Sequence, residues 1–402
     1  MPEDRPAHIG ALIEEQRKLG HFTQRALAER AHVSFSLYTK VATGKKPASP
    51  SFIAACARAL GVESSVLLGQ PYASEQRAER FDAPLAALRA SLENWDLPLD
   101  DGVPLRPLSA LAGEVHGVGA HRRSANYLKV ASEAPALIDE LVEASHQHSG
   151  LQQERAHQLL AYLYRCVYDV AYKLGHIDMG SIILARMLYS AERSADPYMV
   201  MLTSYLRAQS CFSTGRHEVG LRLMERSLAD VEASANAGEQ PALCVQGNLR
   251  LRAAVLAARG GRAEQARAEV AEAMETAKKL GGETSNYVLS FGPSNTKIHG
   301  VAVEVEVGEY GEAIRLARKL TFPADFVKRY PDRVGHHFID LSRAQLWQGD
   351  RDGALISLRK ARKAAPQQAR FHPHARETVV GLRRAARQSS DTLESFAHWM
   401  GV

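Results

Sequence analysis

Three close histidine pairs stand out among the residues able to do chemistry: His146-x-His148, His336-His337 and His372-x-His374. Paired imidazoles can ligate a metal. None of these pairs sits in an H-E-x-x-H frame, or has a carboxylate or cysteine at ligand spacing in a defined frame, so surface or capping histidines are the expectation. Tyr162, Tyr164, Tyr168 and Tyr172 recur at helical spacing and read as packing residues. A ligand-facing role for Tyr162 or Tyr168 is the sharper alternative. The run Arg359-Lys360-x-Arg362-Lys363 reads as a solvated face, with a nucleic-acid contact as the alternative. No phosphate loop, dinucleotide fingerprint or G-x-S-x-G elbow occurs. Binding rather than catalysis is the expected chemistry, with no cofactor and no metal.

Composition points to the scaffold that must position such residues. The chain has 402 residues, a net charge of +5 and 45% hydrophobic content, which allows two or three domains with sizeable cores. Ala, Leu, Arg and Glu abound and β-branched runs are few, so a nearly all-α protein is expected. No run of about 18 uncharged apolar residues exists to span a membrane. The opening MPEDRPAHIG is not a secretory signal. Cys56, Cys166, Cys211 and Cys244 are scattered singly, without a C-x-x-C pair. Neither a zinc site nor a disulfide framework is expected, and a reducing cytoplasm is the default location. The mild basic excess permits nucleic-acid binding without arguing for it.

Residues 8–69 read as five short helices. The first, about His8 to Leu19, stops at Gly20. Thr23 caps a second helix, His32-Val33 turns the chain, and Ser34 caps a third that reaches Ala42. A fourth runs from about Ser51 to Leu60 and ends at Gly61; Glu63 to Leu68 makes a last turn. Two short helices separated by about four residues, the second opening at a hydroxyl, form a helix-turn-helix.

The pattern Phe22-Thr23-Gln24-x-x-Leu27-Ala28-x-x-Ala31-x-Val33-Ser34, extended by Lys40-Val41-x-x-Gly44 and Ala57-x-Ala59-Leu60-Gly61-Val62, resembles the Cro/C1-type (XRE) repressor domain. The resemblance implies a five-helix DNA-binding head. In it Gln24 meets the DNA backbone, and Ser34, Phe35, Ser36, Thr39 and Lys40 belong to the recognition helix in the major groove. Thr43, Lys45 and Lys46 would contact phosphates, which supply affinity but no sequence information. The chain departs from that family at Ala42, where an acidic residue is common, and at Phe35, where a polar or basic one is. Phe35 could meet thymine methyl groups. Alternatively it packs inward, or the head serves as a protein contact.

Beyond residue 72 the expected helices are about Ala83–Asn94, Leu108–Val115, His121–Val130 and Pro135–Ser145, with a turn-rich connector from Asp96 to Pro104. From 150 onward a glycine step repeats: Gly175/Gly180, Gly215/Gly220, Gly261/Ala266, Gly308/Ala313 and Gly349/Ala354, with leading glycines 40, 46, 47 and 41 residues apart. The last unit, Ala344-x-Leu346-Trp347-x-Gly349-Asp350-x-x-x-Ala354 with Ala361 and Pro366, resembles a tetratricopeptide (TPR) repeat. Three domains are therefore expected: a head over 1–72, a helical connector over 73–150 and a TPR-like α-solenoid over 151–402.

The TPR resemblance implies a concave groove lined by the first helix of each pair. Aligned on the glycines, the residues thirteen before are Tyr162, Leu202, Asn248, Asn295 and His336. Ten before stand Arg165, Tyr205, Leu251, Ile298 and Ile339, and six before stand Asp169, Gln209, Val255, Ala302 and Arg343. The polar and aromatic members are the candidate ligand-binding set: Tyr162, Arg165, Asp169, Tyr205, Gln209, Asn248, Asn295, His336 and Arg343. The asparagine amides could each donate to and accept from a peptide backbone, and the arginines could hold a carboxylate. A solvated polar face is the alternative.

An XRE head fused to TPR-like repeats resembles the peptide-pheromone receptor regulators and helix-turn-helix regulators of actinomycetes. That resemblance implies a cytoplasmic homodimer that reads a double-stranded DNA operator, two half-sites about one helical turn apart. Its TPR-like domain would bind a peptide or small-molecule signal and shift the operator-competent population. The rival expectation is an interaction scaffold whose groove binds a partner protein, with the head secondary.

Overall fold

The computed structural model describes residues 8–97, 104–386 and 391–402. Among them the chain is all-α apart from one small β-hairpin. Five helices build the N-terminal unit: α1 (Ile9–Leu19), α2 (Gln24–Arg30), α3 (Phe35–Ala42), α4 (Pro50–Leu60) and α5 (Ser64–Leu67). The hydroxyls of Thr23, Ser34 and Ser49 accept the N–H groups of Ala26, Leu37 and Phe52 and open α2, α3 and α4. Each such cap contributes about 1 kcal/mol. The fourth helix thus starts one residue earlier than its sequence reading, because Ser49 caps it and Pro50 fits its first turn. Ile13, Leu27, Tyr38, Val41 and Phe52 close a core that stays within residues 9–67. Tyr72 already belongs to the next core.

The following helices are α6 (Ala73–Ala78), α7 (Asp82–Glu93), α8 (Leu108–Arg123) and α9 (Tyr127–Gln147). Two long helices therefore replace the three expected between Leu108 and Ser145, and Pro135 lies inside α9. Ala131, Ala134, Leu137, Ile138 and Leu141 bury one continuous face around it. That packing outweighs the roughly 3 kcal/mol a proline costs inside a helix. Most of the expected connector from Asp96 to Pro104, residues 98–103, lies outside the described residues.

From residue 150 the chain folds into helix pairs: α10 (Gly150–Leu174) with α11 (Ile177–Glu192), α12 (Pro197–Thr214) with α13 (His217–Asn236), and α14 (Gln240–Arg259) with α15 (Ala263–Leu280). After the strands β1 (Thr284–Asn286) and β2 (Leu289–Phe291) come α16 (Pro293–Val307) with α17 (Tyr310–Arg318), then α18 (Ala324–Arg329). The last pair is α19 (Pro331–Trp347) with α20 (Arg351–Ala364), followed by α21 (Pro366–Phe371), α22 (Pro373–Ala385) and α23 (Asp391–Met400). The five leading glycines of the repeat, Gly175, Gly215, Gly261, Gly308 and Gly349, all turn the chain at φ between 65° and 89°. That left-handed backbone favours glycine and ends the first helix of each pair. First helices pack on first helices, α10 on α12, α12 on α14, α14 on α16 and α16 on α19. The result is a stack in which each pair buries the face of its neighbour.

The β-hairpin was not expected; Gly281-Gly282 and Gly292-Pro293 read only as loop punctuation. Tyr287 and Val288 form its two-residue turn at φ 54° and 58°, without the Asn-Gly or Asp-Gly that marks such turns. Phe291 of β2 is fully buried and faces Gly247 of α14. No helix among the described residues is long and apolar enough to cross a membrane.

A Cβ on Gly247 would collide with the Phe291 ring. Gly247→Ala should therefore destabilise the array by about 1–3 kcal/mol through overpacking. The readout is a lower apparent Tm, partly restored by Phe291→Leu in the same chain; an unchanged Tm would contradict the contact.

Candidate DNA-reading face and an enclosed charged cavity

In the head, α3 turns Tyr38 and Val41 inward and leaves Phe35, Ser36, Lys40 and Thr43 exposed with Thr39 half-buried beside them. These positions fall on one helical face. Ser34 is exposed and its hydroxyl oxygen accepts from Leu37 N at 3.2 Å, so it caps the helix. Phe35 does not pack inward: it is 42% exposed, with the Arg25 guanidinium 5.4 Å from its ring centre. The Thr39 and Thr43 hydroxyls donate back to the carbonyls of Ser36 and Thr39. Lys45 and Lys46 donate their backbone N–H groups to the Lys40 carbonyl, which closes α3 and leaves both side chains exposed.

Gln24 is held from within. Glu14 accepts its amide at 3.1 Å, the Tyr38 hydroxyl at 2.6 Å and Arg17 at 2.9 Å. Burial opposes the charge on Glu14, but hydrogen bonds from Arg17, Tyr38 and Gln24 outweigh it and hold the carboxyl below its usual range. One carboxylate thus fixes α1, the start of α2 and the middle of α3 together.

A short helix, a tight turn and a second, hydroxyl-capped helix with an exposed polar face make this unit a helix-turn-helix domain, the class that DNA-binding regulators use. Residues 8–69 match the family described as helix-turn-helix domain. No curated protein matches the chain.

The head sits on the helical array through the side away from this face. Its α4 packs on α12, and Arg58 donates to the Thr214 carbonyl at 2.9 Å. Ser51 donates to the Arg259 carbonyl, and Ile9 N donates to Glu377 at 3.0 Å. At the end of α3, Arg384 of α22 donates to the Thr43 carbonyl at 3.1 Å. Gly44, at φ 69°, is where a Cβ would collide with that guanidinium. Arg25 and Arg384 were not singled out from sequence, since neither stands in the motif.

Between head and array lies a cavity of ≈ 250 Å³. Pro50, Ile53, Ser64, Ser65, Leu68 and Gln70 make the head's wall. Each first helix of the array contributes three or four residues, among them Arg165, Asp169 and Lys173 on α10 and Arg333, His336 and Asp340 on α19. Of the groove set, Arg165, Asp169, Tyr205, Gln209 and His336 line this cavity.

The others do not. Tyr162 lines a separate pocket with Tyr287, edge-on to His116 at 5.4 Å. Asn248 is buried and donates to the Cys244 carbonyl at 2.9 Å. Asn295 is buried too: its amide donates to the Ser290 carbonyl and its oxygen accepts from Arg333, both at 2.7 Å. Arg343 is buried 3.8 Å from Glu306. The expectation that the two asparagines present amides to a peptide is therefore corrected. Thirteen residues before the glycine is the inward side of α14 and α16, whereas on α19 the same offset, His336, reaches the cavity. The missed lining residues Lys173, Phe212, Arg259 and Glu306 lie three or four residues after the column six before the glycine. Helical periodicity alone could have found them.

Charge dominates this cavity. Burial opposes ionisation of Asp169, yet Arg122 and Arg165, at 2.5 and 3.0 Å, hold its carboxyl far below the usual range. Burial, with the nearby Glu306 charge, pushes Asp340 up to about 7. Burial pushes Lys173 down to about 8. Burial and Arg333 lower His299 to about 3, and burial with Lys173 or Arg343 holds His336, His372 and His374 well below the usual range.

These histidines predict acid lability. Their pKa values are depressed in the folded chain, so the unfolded chain binds more protons as pH falls below 6.5 and stability is lost in that direction. Asp340 has the opposite sign, losing stability as pH rises from 3.8 to about 7, but it is one group against four. The apparent Tm should fall from pH 7 to pH 5, and His299→Asn should flatten the profile. A Tm that rises over this range would refute the assignment.

Proposed function

We propose that the chain is a sequence-specific, DNA-binding transcriptional regulator, with residues 1–72 as its XRE-type head, 73–150 as a connector and 151–402 as a TPR-like solenoid that senses and dimerises. What carries this reading is the outward face of α3. The head is docked through α4 and the start of α1, so Phe35, Ser36, Thr39 and Lys40 stay free to enter a major groove, with Lys45 and Lys46 at the backbone beside them. One head covers too little DNA for high specificity, and a symmetric cytoplasmic dimer reading two half-sites about one turn apart supplies the rest.

The glycine-turned helix pairs and the shared face of their first helices support the TPR-like reading. The small volume of the cavity, ≈ 250 Å³, supports a small-molecule signal over a peptide. The chain acts by binding rather than catalysis. The scaffold alternative has less support, because Asn248 and Asn295 are engaged within the array.

Selection of random duplex DNA by the full-length protein at two salt concentrations tests the reading. An enriched inverted repeat with half-sites about 10 base pairs apart is the expected result. Lys45→Ala and Lys46→Ala should weaken binding alike on all sequences, each lowering the slope of log affinity against log salt by about 0.9. Ser36→Ala should instead relax the preference at one base position. Salt-sensitive binding with no enriched motif would overturn sequence-specific regulation.

A further inference from the structure

The cavity under the head holds more positive charge than the protein pairs. Six lysine or arginine side chains line it against three carboxylates, one of which, Asp340, is pushed up to about 7. Asp169 is taken by Arg122 and Arg165, and Glu306 by Arg259 at 3.0 Å. Among the described residues Lys173, Arg252 and Arg333 form no salt bridge, although the Asp169 charge favours the Lys173 cation and that of Asp332 the Arg333 cation. Arg252 donates to Gln209 at 3.1 Å and lies over the Tyr205 ring at 3.9 Å; Arg333 donates only to Asn295. The Nε of the buried Arg165 and the Nε of Arg252 have no acceptor. Burying cations beside one another without salt bridges is costly, and these neutral contacts offset only part of it. Such a cluster fits a site that an anion completes.

Shape and lining narrow the occupant. A space of ≈ 250 Å³ walled on one side by the head fits a compact molecule better than an extended peptide. Tyr205, Phe212, Leu251 and Val255 on the array and Ile53 and Leu68 on the head give it an apolar side. The positive field excludes a metal cation.

We propose that this cavity binds a small metabolite with an apolar body and two or more negative charges, and that the metabolite bridges the array to the α4–α5 wall of the head. The proposal rests on the reading of the array as the sensing half and names the chemistry sensed. All the unpaired cations stand on α10, α14 and α19, and the head supplies only neutral groups. The charged end therefore lies on the array and the apolar body reaches the head. An occupant touching both walls favours the docked arrangement by its differential contacts. Docking also holds the Thr43–Gly44 turn at the end of α3 through Arg384, so ligand and operator are linked.

The test uses the full-length protein at constant ionic strength, with 1-naphthyl phosphate and 2,6-naphthalenedicarboxylate as the two anionic probes and 1-naphthol as the neutral one. A saturable rise in Tm with either anion and none with naphthol is expected; which anion acts identifies a phosphoryl or a carboxylate group. Amide exchange in α4 and α5 should slow in the complex. Lys173→Met and Arg252→Met should each weaken binding at least tenfold. Lys173→Met should leave the ligand-free Tm unchanged or higher, because it removes a repelled charge; a merely structural lysine would lower it. No binding by either anion, or equal binding by the Lys173→Met variant, overturns the proposal. If DNA selection then still yields an inverted repeat, the regulator reading survives. If an anion binds and protects α4–α5 while operator affinity stays constant, the site stands and the sensing role of the array falls.

Discussion

The unbalanced charge on the inner faces of the first helices is the constraint around which the rest of the structure is arranged. A stack of helix pairs must leave one face of every first helix looking into a shared hollow. Here that face carries four arginines and a lysine beside its apolar residues, so burying it is costly unless carboxylates or a ligand answer it. Three carboxylates answer part of it. Arg122 joins Asp169 and also Asp332 at 3.3 Å, tying α8, α10 and α19, which are far apart in sequence. Such a tie does little for net stability, but it fixes which helices meet, since a slipped register would leave buried charges without partners. Burial first, and the remaining cations second, hold the neighbouring histidines neutral, so the same enclosure of charge bears on both the geometry of the hollow and its protonation state.

The head is organised on the opposite principle. Its core is apolar and closed, and among the described residues its one internal carboxylate, Glu14, is engaged by Arg17, Gln24 and Tyr38. The exposed face of α3 therefore rests on a support built within the head, with the array touching α3 at its C-terminal end through Arg384. The array in turn supplies what the head lacks, a set of contacts along α4, the start of α1 and the turn after α3 that fix its orientation. Neither unit's core depends on the other's, yet the wall of the cavity exists only when they meet.

Much of this was legible in the residues. Thr23, Ser34 and Gly61 marked helix ends because a hydroxyl cap and a left-handed glycine have local causes. The five repeat glycines did the same for the array, and every one occupies a positive-φ turn. What failed were inferences needing tertiary knowledge. Pro135 read as a helix start because proline disfavours helix interiors, and buried packing of α9 overrode it. The β-hairpin was silent because Tyr287-Val288 carries no turn signature. Asn248 and Asn295 were in register, but register does not say which side of a helix faces in. The column six residues before the glycine did reach the cavity on α10, α12, α14 and α16, through Asp169, Gln209, Val255 and Ala302. On α19 the lining residues Arg333, His336 and Asp340 lie earlier, and Arg343 at that column contacts Glu306 instead. A single register cannot describe a stack whose last helix is displaced along its axis.

The turn after α3 is where the two organisations touch. Lys45 and Lys46 close the helix through the Lys40 carbonyl, and the next carbonyl available, that of Thr43, is taken by Arg384. The residue between must be glycine, both for its φ of 69° and because the guanidinium occupies the space of a side chain. Arg384 therefore adds a positive charge beside the lysines in the docked arrangement and would withdraw it if the head swung away. The docked and undocked heads would then differ in phosphate affinity without any change inside the head itself. Coupling of this kind needs no path through the helix-turn-helix core: the equilibrium shifted is that of docking, and its two ends are the charged hollow and the edge of α3.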